Sequence, residues 1–163
     1  MSVETLLDFI AKLESGGNYN RIYSGIKAED YPAKAITCMT IDEVLKWQWS
    51  IDKKYPSEAC GAFQMLKTTL SEFYAAAWLT LNDLYNSTNQ RKLAVALLKR
   101  RGLEAFLKGS LSAETFAMNL AKEWASLPCV EGPKKGKSFY AGDGLNTSLT
   151  SVEDFMAVIL SCR

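Results

Sequence analysis

Hydrophobic side chains near the start of the chain recur every three or four residues, a spacing that places them on one face of an α-helix. They are Val3, Leu6, Leu7, Ile10 and Leu13. Ser2 precedes this run and is a good N-cap residue, and two glycines follow the run at positions 16 and 17. The pattern therefore predicts a first helix that begins after Ser2 and ends before Gly16.

Polar residues that cap helices precede most of the later apolar runs. The caps are Thr40 with Glu43, Ser87 with Gln90, Thr150 with Glu153, and Ser112 alone. An uncapped stripe predicts a further helix over residues 66–78, and its apolar members are Leu66, Leu70, Phe73, Tyr74, Ala77 and Trp78. One or two turns of helix are expected over residues 103–108. Together these runs predict a mainly α fold of five or six helices.

Two long segments have neither the helical nor the strand period. Residues 18–39 are expected to be a loop that contains a small β-hairpin, with residues 21–23 paired to residues 35–37. Residues 129–149 form a loop longer than compact domains usually have without a functional reason. The tryptophans fall in the predicted helices and are assigned to the core, with carbohydrate platforms as the alternative; they are Trp47, Trp49, Trp78 and Trp124. The chemistry of the protein is therefore expected in the loops.

Length and composition indicate a single domain that spans residues 1–163. Of the 163 residues, 48% are hydrophobic and 23% are charged, which excludes a disordered chain. The net charge of +1 gives no reason to expect nucleic acid or an anionic membrane as a partner. No apolar run approaches the ~20 residues that cross a bilayer, so membrane insertion is not expected. The amphipathic, acid-containing amino terminus is unlike a signal peptide, which predicts that the protein first stays in a cytoplasm.

The chain contains no histidine, and its four cysteines are scattered. The lack of histidine excludes histidine-based catalytic triads and histidine metal ligands, so acid–base chemistry must use carboxylates, Lys, Tyr or Cys. The cysteines are Cys38, Cys60, Cys129 and Cys162. Without a Cys-x-x-Cys pair they are interpreted as reduced, inert packing residues, and a disulfide framework is the alternative. Neither a metal nor a cofactor is predicted.

Glu14 is the strongest candidate for an acid among the carboxylates. It follows Ile10 by four residues and Leu7 by seven, so it continues the apolar stripe at the end of the first helix. Partial burial and the negative end of the helix dipole both disfavour ionisation and would raise its pKa. Such a group can protonate a leaving group near neutral pH. The alternative is an ordinary glutamate of the last helical turn that points into water.

Four sequence blocks carry a resemblance to a known family. They are ESGG from Glu14, GAFQM over residues 61–65, RKLAVALLKRRGLEAFLKG over residues 91–109 and LAKEWASLP over residues 120–128. The first two resemble the lysozyme-like superfamily, whose lytic transglycosylases and goose-type lysozymes place their acid in Glu-Ser-Gly at a helix end. The last two resemble the phage lambda-type lysozymes, which are lytic transglycosylases. The order and approximate spacing are kept over roughly residues 5–128.

The resemblance implies a single lysozyme-like catalytic domain that cleaves the β-1,4 bond between N-acetylmuramic acid and N-acetylglucosamine in peptidoglycan. Glu14 would protonate the glycosidic oxygen and then accept a proton from the C6 hydroxyl of the muramic sugar, which closes a 1,6-anhydro ring. A hydrolytic muramidase would need a second carboxylate. The candidates for that group are Glu29, Asp30, Asp42 and Glu58. Both reactions remain open, with the transglycosylase preferred.

The GAFQM block also implies substrate-binding residues. The amide of Gln64 suits the acetamido groups and hydroxyls of amino sugars, and the alternative is that it braces its own turn. Gly61 would let the backbone approach a sugar closely, or it would end a strained loop. Phe63 lies between them in the same block and is included among the residues that line the sugar cleft.

Three further residues are candidates outside that block. Asn18 could hold Glu14 or a substrate acetamide, or it could form the turn after the first helix. Tyr19 and Tyr140 are the aromatic candidates for packing on sugar faces, and each could instead anchor the core or a loop. The nearby lysines could attract the carboxylates of peptide stems, or they could simply belong to a solvated loop; they are Lys134, Lys135 and Lys137.

The function expected from this resemblance is that of a phage or prophage endolysin. Its partner would be the glycan strands of bacterial peptidoglycan, and a holin would release it from the host cytoplasm to the periplasm and cell wall. A virion-associated lysin used at entry is the second possibility. A non-enzymatic protein that kept the lysozyme fold for glycan binding or as a scaffold is the third. The protein is expected to be a monomer.

Overall fold

A computed structural model describes residues 2–163, and over these residues the protein is mainly helical, as predicted. It has seven α-helices rather than five or six in this part of the chain. They are α1 (Val3–Ser15), α2 (Ile41–Ile51), α3 (Lys67–Phe73), α4 (Ser87–Arg100), α5 (Leu103–Leu107), α6 (Ala113–Ala121) and α7 (Val152–Leu160). Three short 3₁₀ turns lie at Ala28–Asp30, Ile36–Cys38 and Ala75–Ala77. None of the helices described is long and apolar enough to cross a membrane.

The described chain divides into two compact units. The first unit consists of the amino-terminal stretch up to Glu14 together with Leu97–Arg163, and the second consists of Ser15–Ala96. The chain passes from one unit to the other directly after Glu14 and again within α4. Glu14 therefore belongs to the first unit, whereas the GAFQM block belongs to the second.

The core of the first unit is formed by aromatic and aliphatic side chains of its helices. α6 packs against α5 and α7, and the rings of Phe106 and Phe116 stack with their centroids 4.7 Å apart. Phe9 of α1 stacks on Phe155 of α7 at 6.3 Å. The fully buried members include Leu6, Leu7, Ile10, Phe106, Phe116, Leu120, Phe155 and Ile159. These residues keep the helical spacing from which α1, α6 and α7 were predicted.

In the second unit α2 packs against α3, and long irregular segments connect the helices. Isolated β-bridges join Ile22 to Cys60 and Thr40 to Leu84. Its buried side chains include Ile36, Ile41, Val44, Ile51, Cys60, Phe63, Leu70 and Tyr85. The predicted hairpin between residues 21–23 and 35–37 is wrong, because Ile22 pairs with Cys60 and residues 36–38 form a 3₁₀ turn.

Two of the predicted helix caps lie one residue away from their expected positions. The α4 helix begins at Ser87, and the side chain of Asn86 caps it by accepting a hydrogen bond from the backbone N–H of Asn89. The α7 helix is capped by Ser151, which accepts from the Asp154 amide, instead of Thr150. The capping box of Thr40 with Glu43 and the cap at Ser112 are confirmed. Adjacent Ser, Thr and Asn residues are all good caps, so the sequence alone does not choose among them.

The helix predicted over residues 66–78 is divided, and two tryptophans assigned to the core are exposed. α3 ends at Phe73, and a 3₁₀ turn then leads to Trp78, which has a left-handed backbone with φ of 59° and a side chain 94% exposed. Trp49 is also exposed, whereas Trp47 and Trp124 are buried as predicted. The apolar stripe continued past the real end of the helix, and its last residue therefore lies on the surface.

Candidate active site

Glu14 lies in the last turn of α1, and its side chain is partly buried. Its Oε1 atom accepts a hydrogen bond of 2.5 Å from the Ser126 hydroxyl and a longer one of 3.4 Å from the Ser126 backbone N–H. The two residues are 112 positions apart in the chain and belong to the same compact unit. We call Glu14 and Ser126 the acid site.

Burial determines the acidity of Glu14. Burial raises its pKa above the ordinary glutamate value, and the two hydrogen bonds from Ser126 lower it by a smaller amount. The net direction is upward, because removing a carboxylate from water costs more free energy than these neutral donors return. The expectation that partial burial raises this pKa is therefore confirmed. A carboxyl of this kind can hold a proton at a higher pH than a surface glutamate can.

Ser126 is itself held firmly between two buried residues. Trp124 and Leu127 are 3% and 0% exposed, and the Leu127 N–H donates to the Trp124 carbonyl. The Ser126 carbonyl accepts a hydrogen bond of 2.8 Å from the backbone N–H of Leu149. Ser126 was not selected from the sequence, although it stands in the LAKEWASLP block. Its partner Glu14 is far away along the chain, so no local pattern indicated the contact.

The loop over residues 129–149 is folded back on itself by hydrogen bonds. Bridges join Pro128 to Ser138 and Cys129 to Lys135. Lys134 donates to the carbonyls of residues 139 and 141, so its ammonium group cross-links the loop. The predicted loop is therefore irregular but ordered by its own contacts.

Tyr140 is the predicted sugar-packing residue of this loop. Its side chain is 41% exposed, and its hydroxyl donates a 2.7 Å hydrogen bond to the Lys122 carbonyl. Its ring packs edge-on against that of Phe139. Tyr140 is thus anchored at its hydroxyl while part of its ring faces solvent.

The GAFQM block forms a tight turn that we call the Gly61 turn, residues 61–65. A bridge joins Cys60 to Met65, which brings the two ends of the turn together. Gln64 has a left-handed backbone with φ of 46°, and its side-chain amide donates 2.9 Å to the Gly61 carbonyl. In this geometry the Gln64 side chain braces the turn, which was the alternative to sugar binding.

Gly61 is required by its packing. Its φ of +81° favours glycine, and a Cβ atom there would lie 2.5 Å from Gln90 Oε1 and 2.8 Å from the Tyr85 hydroxyl. Gln90 is fully buried; it accepts from the Ala62 N–H and donates to the carbonyls of Tyr19 and Tyr85. Gln90 was expected only to close a capping box. It is instead the polar centre of this turn.

Tyr19, Phe63 and Asn18 belong to the same unit as the Gly61 turn. The ring of Phe63 is buried and meets the ring of Tyr19 edge-on at 6.5 Å. The Tyr19 hydroxyl accepts a hydrogen bond of 3.0 Å from Arg91. The side chain of Asn18 accepts from the Asn20 N–H, which is the turn-forming role considered for it. Tyr19 and Phe63 are therefore brought together, with Phe63 in the interior.

Three of the four candidate second carboxylates have lysine partners. Asp30 pairs with Lys54 and also accepts from Tyr55, and these hydrogen bonds lower its pKa. The remaining pairs are Asp42 with Lys46 and Glu58 with Lys67. Glu29 is exposed in a 3₁₀ turn. These carboxylates all lie in the second unit, whereas Glu14 is the last residue of the first unit's amino-terminal stretch.

Potential metal-ligating side chains and thiols lie scattered among the described residues. Among residues 2–163, no three His, Cys, Asp or Glu side chains are grouped so that they could hold a metal ion. All four cysteines are unpaired in the structure, and Cys60, Cys129 and Cys162 are buried as packing residues would be. The prediction of a packing role is wrong for Cys38, which is exposed because it ends a 3₁₀ turn at the surface. Burial raises the pKa of Cys60 to about 12, so this thiol stays protonated and acts as a packing group.

Comparison with known proteins identifies the family. The chain matches the family model described as Endolysin over residues 5–147. No curated protein and no solved structure matches the chain at a significant level. The match covers most of the chain, including Glu14, Ser126 and the Gly61 turn. The chain therefore belongs to the endolysin family, the phage enzymes that degrade the peptidoglycan of the host cell wall.

Proposed function

We propose that this endolysin is a lytic transglycosylase that cleaves the β-1,4 bond between N-acetylmuramic acid and N-acetylglucosamine, with Glu14 as its single acid and base. One observation carries the proposal. Glu14 is a carboxyl at a helix end whose pKa is raised by burial and whose hydrogen-bond donors are the uncharged hydroxyl and amide of Ser126. A salt-bridged glutamate would instead be held ionised and could not donate a proton.

The proposed reaction needs one group that first gives and then takes a proton. Protonated Glu14 donates to the glycosidic oxygen, and the bond between that oxygen and C1 of the muramic sugar breaks through an oxocarbenium-like state. The Glu14 carboxylate then accepts the proton of the C6 hydroxyl, whose oxygen bonds to C1. The products are a free 4-hydroxyl on N-acetylglucosamine and a 1,6-anhydro muramic end. Water is not consumed, and Glu14 regains its proton.

The state of three of the four other candidate carboxylates supports this reaction over hydrolysis. Asp30, Asp42 and Glu58 each pair with a lysine, and Glu58 additionally accepts from the Lys67 backbone N–H. Hydrogen bonds from Tyr55 and Lys54 lower the pKa of Asp30, which makes it a weaker base. The oxygens of these three carboxylates are already used in contacts within the second unit, so we infer that they hold that unit together rather than activate water.

The proposed contacts with the glycan differ in how the structure supports them. Tyr140 retains a partly exposed ring, which supports packing on a sugar face. Asn18 is exposed and Tyr19 is partly exposed, so both can reach a ligand. Gln64 and Gly61 would contribute mainly through the shape of their turn. Phe63 would act from the interior by supporting Tyr19.

The biological setting follows from the proposed activity. The enzyme would accumulate in the host cytoplasm as a monomer and would reach the glycan strands of the cell wall after a holin opens the membrane. Use as a virion-associated lysin at entry is the alternative setting. Detection of the protein in purified phage particles would support the alternative.

Digestion of purified sacculi in water labelled with heavy oxygen tests the proposal. Glycan chains are expected to end in 1,6-anhydro muramic acid without added label, as measured by mass spectrometry. Labelled reducing ends would show hydrolysis and would replace the transglycosylase with a muramidase. Absence of any product, with binding to sacculi retained, would favour a glycan-binding protein of the same fold.

A further inference from the structure

We infer that Ser126 is a positioning residue of the acid site, which fixes the carboxyl of Glu14 in both of its protonation states. This inference rests on the proposed function, because it concerns how the same acid works. It begins from the 2.5 Å contact between the Ser126 hydroxyl and Glu14 Oε1. Both hydrogen bonds from Ser126 go to Oε1, which leaves Oε2 as the oxygen to meet a sugar.

A hydroxyl suits this task because it is an uncharged donor. It donates to Oε1 of the ionised carboxylate, and it can still donate to Oε1 when the proton is on Oε2, because Oε1 is then the carbonyl oxygen of the acid. A lysine or arginine in this place would hold only the charged form and would make Glu14 a poor acid. Ser126 can therefore keep the side chain in one place while the proton leaves and returns.

The backbone around Ser126 makes it a fixed support for Glu14. Its side chain is 5% exposed and lies between the buried Trp124 and Leu127. Its carbonyl is hydrogen-bonded to the N–H of Leu149, the residue that ends the 129–149 loop. One residue thus joins the acid, the turn after α6 and the far end of the long loop.

Charged groups on the same elements are directed elsewhere. Lys12 of α1 is exposed, and Lys122 lies 5.8 Å from the centroid of the Phe139 ring. Glu123 is held by Arg100 and Arg101 through contacts of 2.6 Å. Their charges are compensated or solvated, so we expect Ser126 to be the group on these elements that most affects the acidity of Glu14.

Replacement of Ser126 by alanine tests the inference on soluble peptidoglycan glycan strands. A misplacement of a reacting group by 1 Å can lower the rate by about 10²-fold. We therefore expect kcat to fall at least about 10-fold, with little change in KM. Loss of the hydroxyl hydrogen bond, the larger of the two that lower the pKa of Glu14, should also move the basic limb of the kcat/KM profile to higher pH, while the backbone N–H bond is kept. Ser126→Thr keeps the hydroxyl and should restore both properties.

Ser138→Ala is the matched control. Ser138 is also a buried serine of the first unit, but its hydroxyl accepts from the Tyr140 N–H, whereas that of Ser126 donates to Glu14. This variant should keep the wild-type pH profile. A folded Ser126→Ala enzyme with wild-type kcat and an unmoved profile would overturn the inference, as would an equal shift in Ser138→Ala.

The failure of this inference can be distinguished from the failure of the proposed function. If Glu14→Gln retains wild-type activity, Glu14 is not the acid and the proposed function itself is wrong. If Glu14→Gln is inactive and Ser126→Ala behaves as wild type, only the role of Ser126 is wrong.

Discussion

The acid site and the Gly61 turn were found by the same kind of sequence similarity, yet their side chains are used in opposite ways. In the acid site, a partly buried carboxyl has a raised pKa and is bound by a neutral hydroxyl. In the Gly61 turn, the amides of Gln64 and Gln90 are bonded to backbone groups of their own unit. The acid site keeps a carboxyl that can give or take a proton, whereas the polar groups of the Gly61 turn hold the backbone of that turn in its conformation. A family motif therefore marks position, and the partners of each side chain decide its role.

The largest expected effect comes from Glu14→Gln, which tests the catalytic half of this comparison. The amide keeps the shape of the side chain and can still accept from Ser126, but it cannot transfer a proton as a general acid. Activity on sacculi should fall by about 10²- to 10⁴-fold with the fold retained. Glu114→Gln, which removes an exposed carboxylate from α6 in the same unit, should be active. A Glu14→Gln enzyme with half the wild-type turnover would remove Glu14 from the mechanism.

The next largest effect should be on stability, from Gly61→Ala in the Gly61 turn. The added methyl group would meet Gln90 and Tyr85 at less than 3 Å in a left-handed backbone, so a loss of about 3 kcal/mol is expected. Gly132→Ala is the control, because its φ is +75° but nothing lies within 4 Å of the added Cβ. It should cost about 1 kcal/mol. Thermal unfolding of both variants measures the difference, and equal losses would contradict the packing argument.

A smaller effect is expected from Gln64→Ala, which asks whether the brace also binds sugar. Loss of the hydrogen bond to the Gly61 carbonyl should lower the free energy of unfolding by about 1 kcal/mol. KM for soluble glycan strands should stay close to that of the wild type. A large rise in KM with unchanged stability would instead make Gln64 a substrate-binding residue. The Gly61 turn would then act on the substrate directly, as is proposed for the acid site.

The smallest change in stability should come from Tyr140→Ala in the 129–149 loop. Its hydroxyl makes one hydrogen bond to Lys122 and its ring is partly exposed, so less than about 1 kcal/mol should be lost. Turnover of sacculi should still fall if the ring packs on a sugar. Tyr140→Phe separates the two contributions, because it keeps the ring and removes the hydrogen bond. Full activity of Tyr140→Ala with a large drop in melting temperature would show a packing anchor.

Much of the helical structure was determined by the sequence, because it depends on residues close together in the chain. The stripe from Leu6 to Ile10 and the glycines after Ser15 define α1, and Thr40 with Glu43 defines the start of α2. The position of Glu14 on the buried face of α1 and its raised pKa follow from the same spacing. Such patterns act over three or four residues, which is the range of helical contacts.

Tertiary structure decided the features that depend on distant partners. Ser126 meets Glu14 across 112 residues, and Gln90 meets Tyr19 across 71. The sequence also contains no signal for the end of α3 at Phe73, because no glycine or proline interrupts the stripe before Trp78. Hydrogen bonds and burial between remote segments leave no period in the sequence. The position of Glu14 at the end of a buried helix face could therefore be predicted from the chain alone, whereas its contact with Ser126 could not.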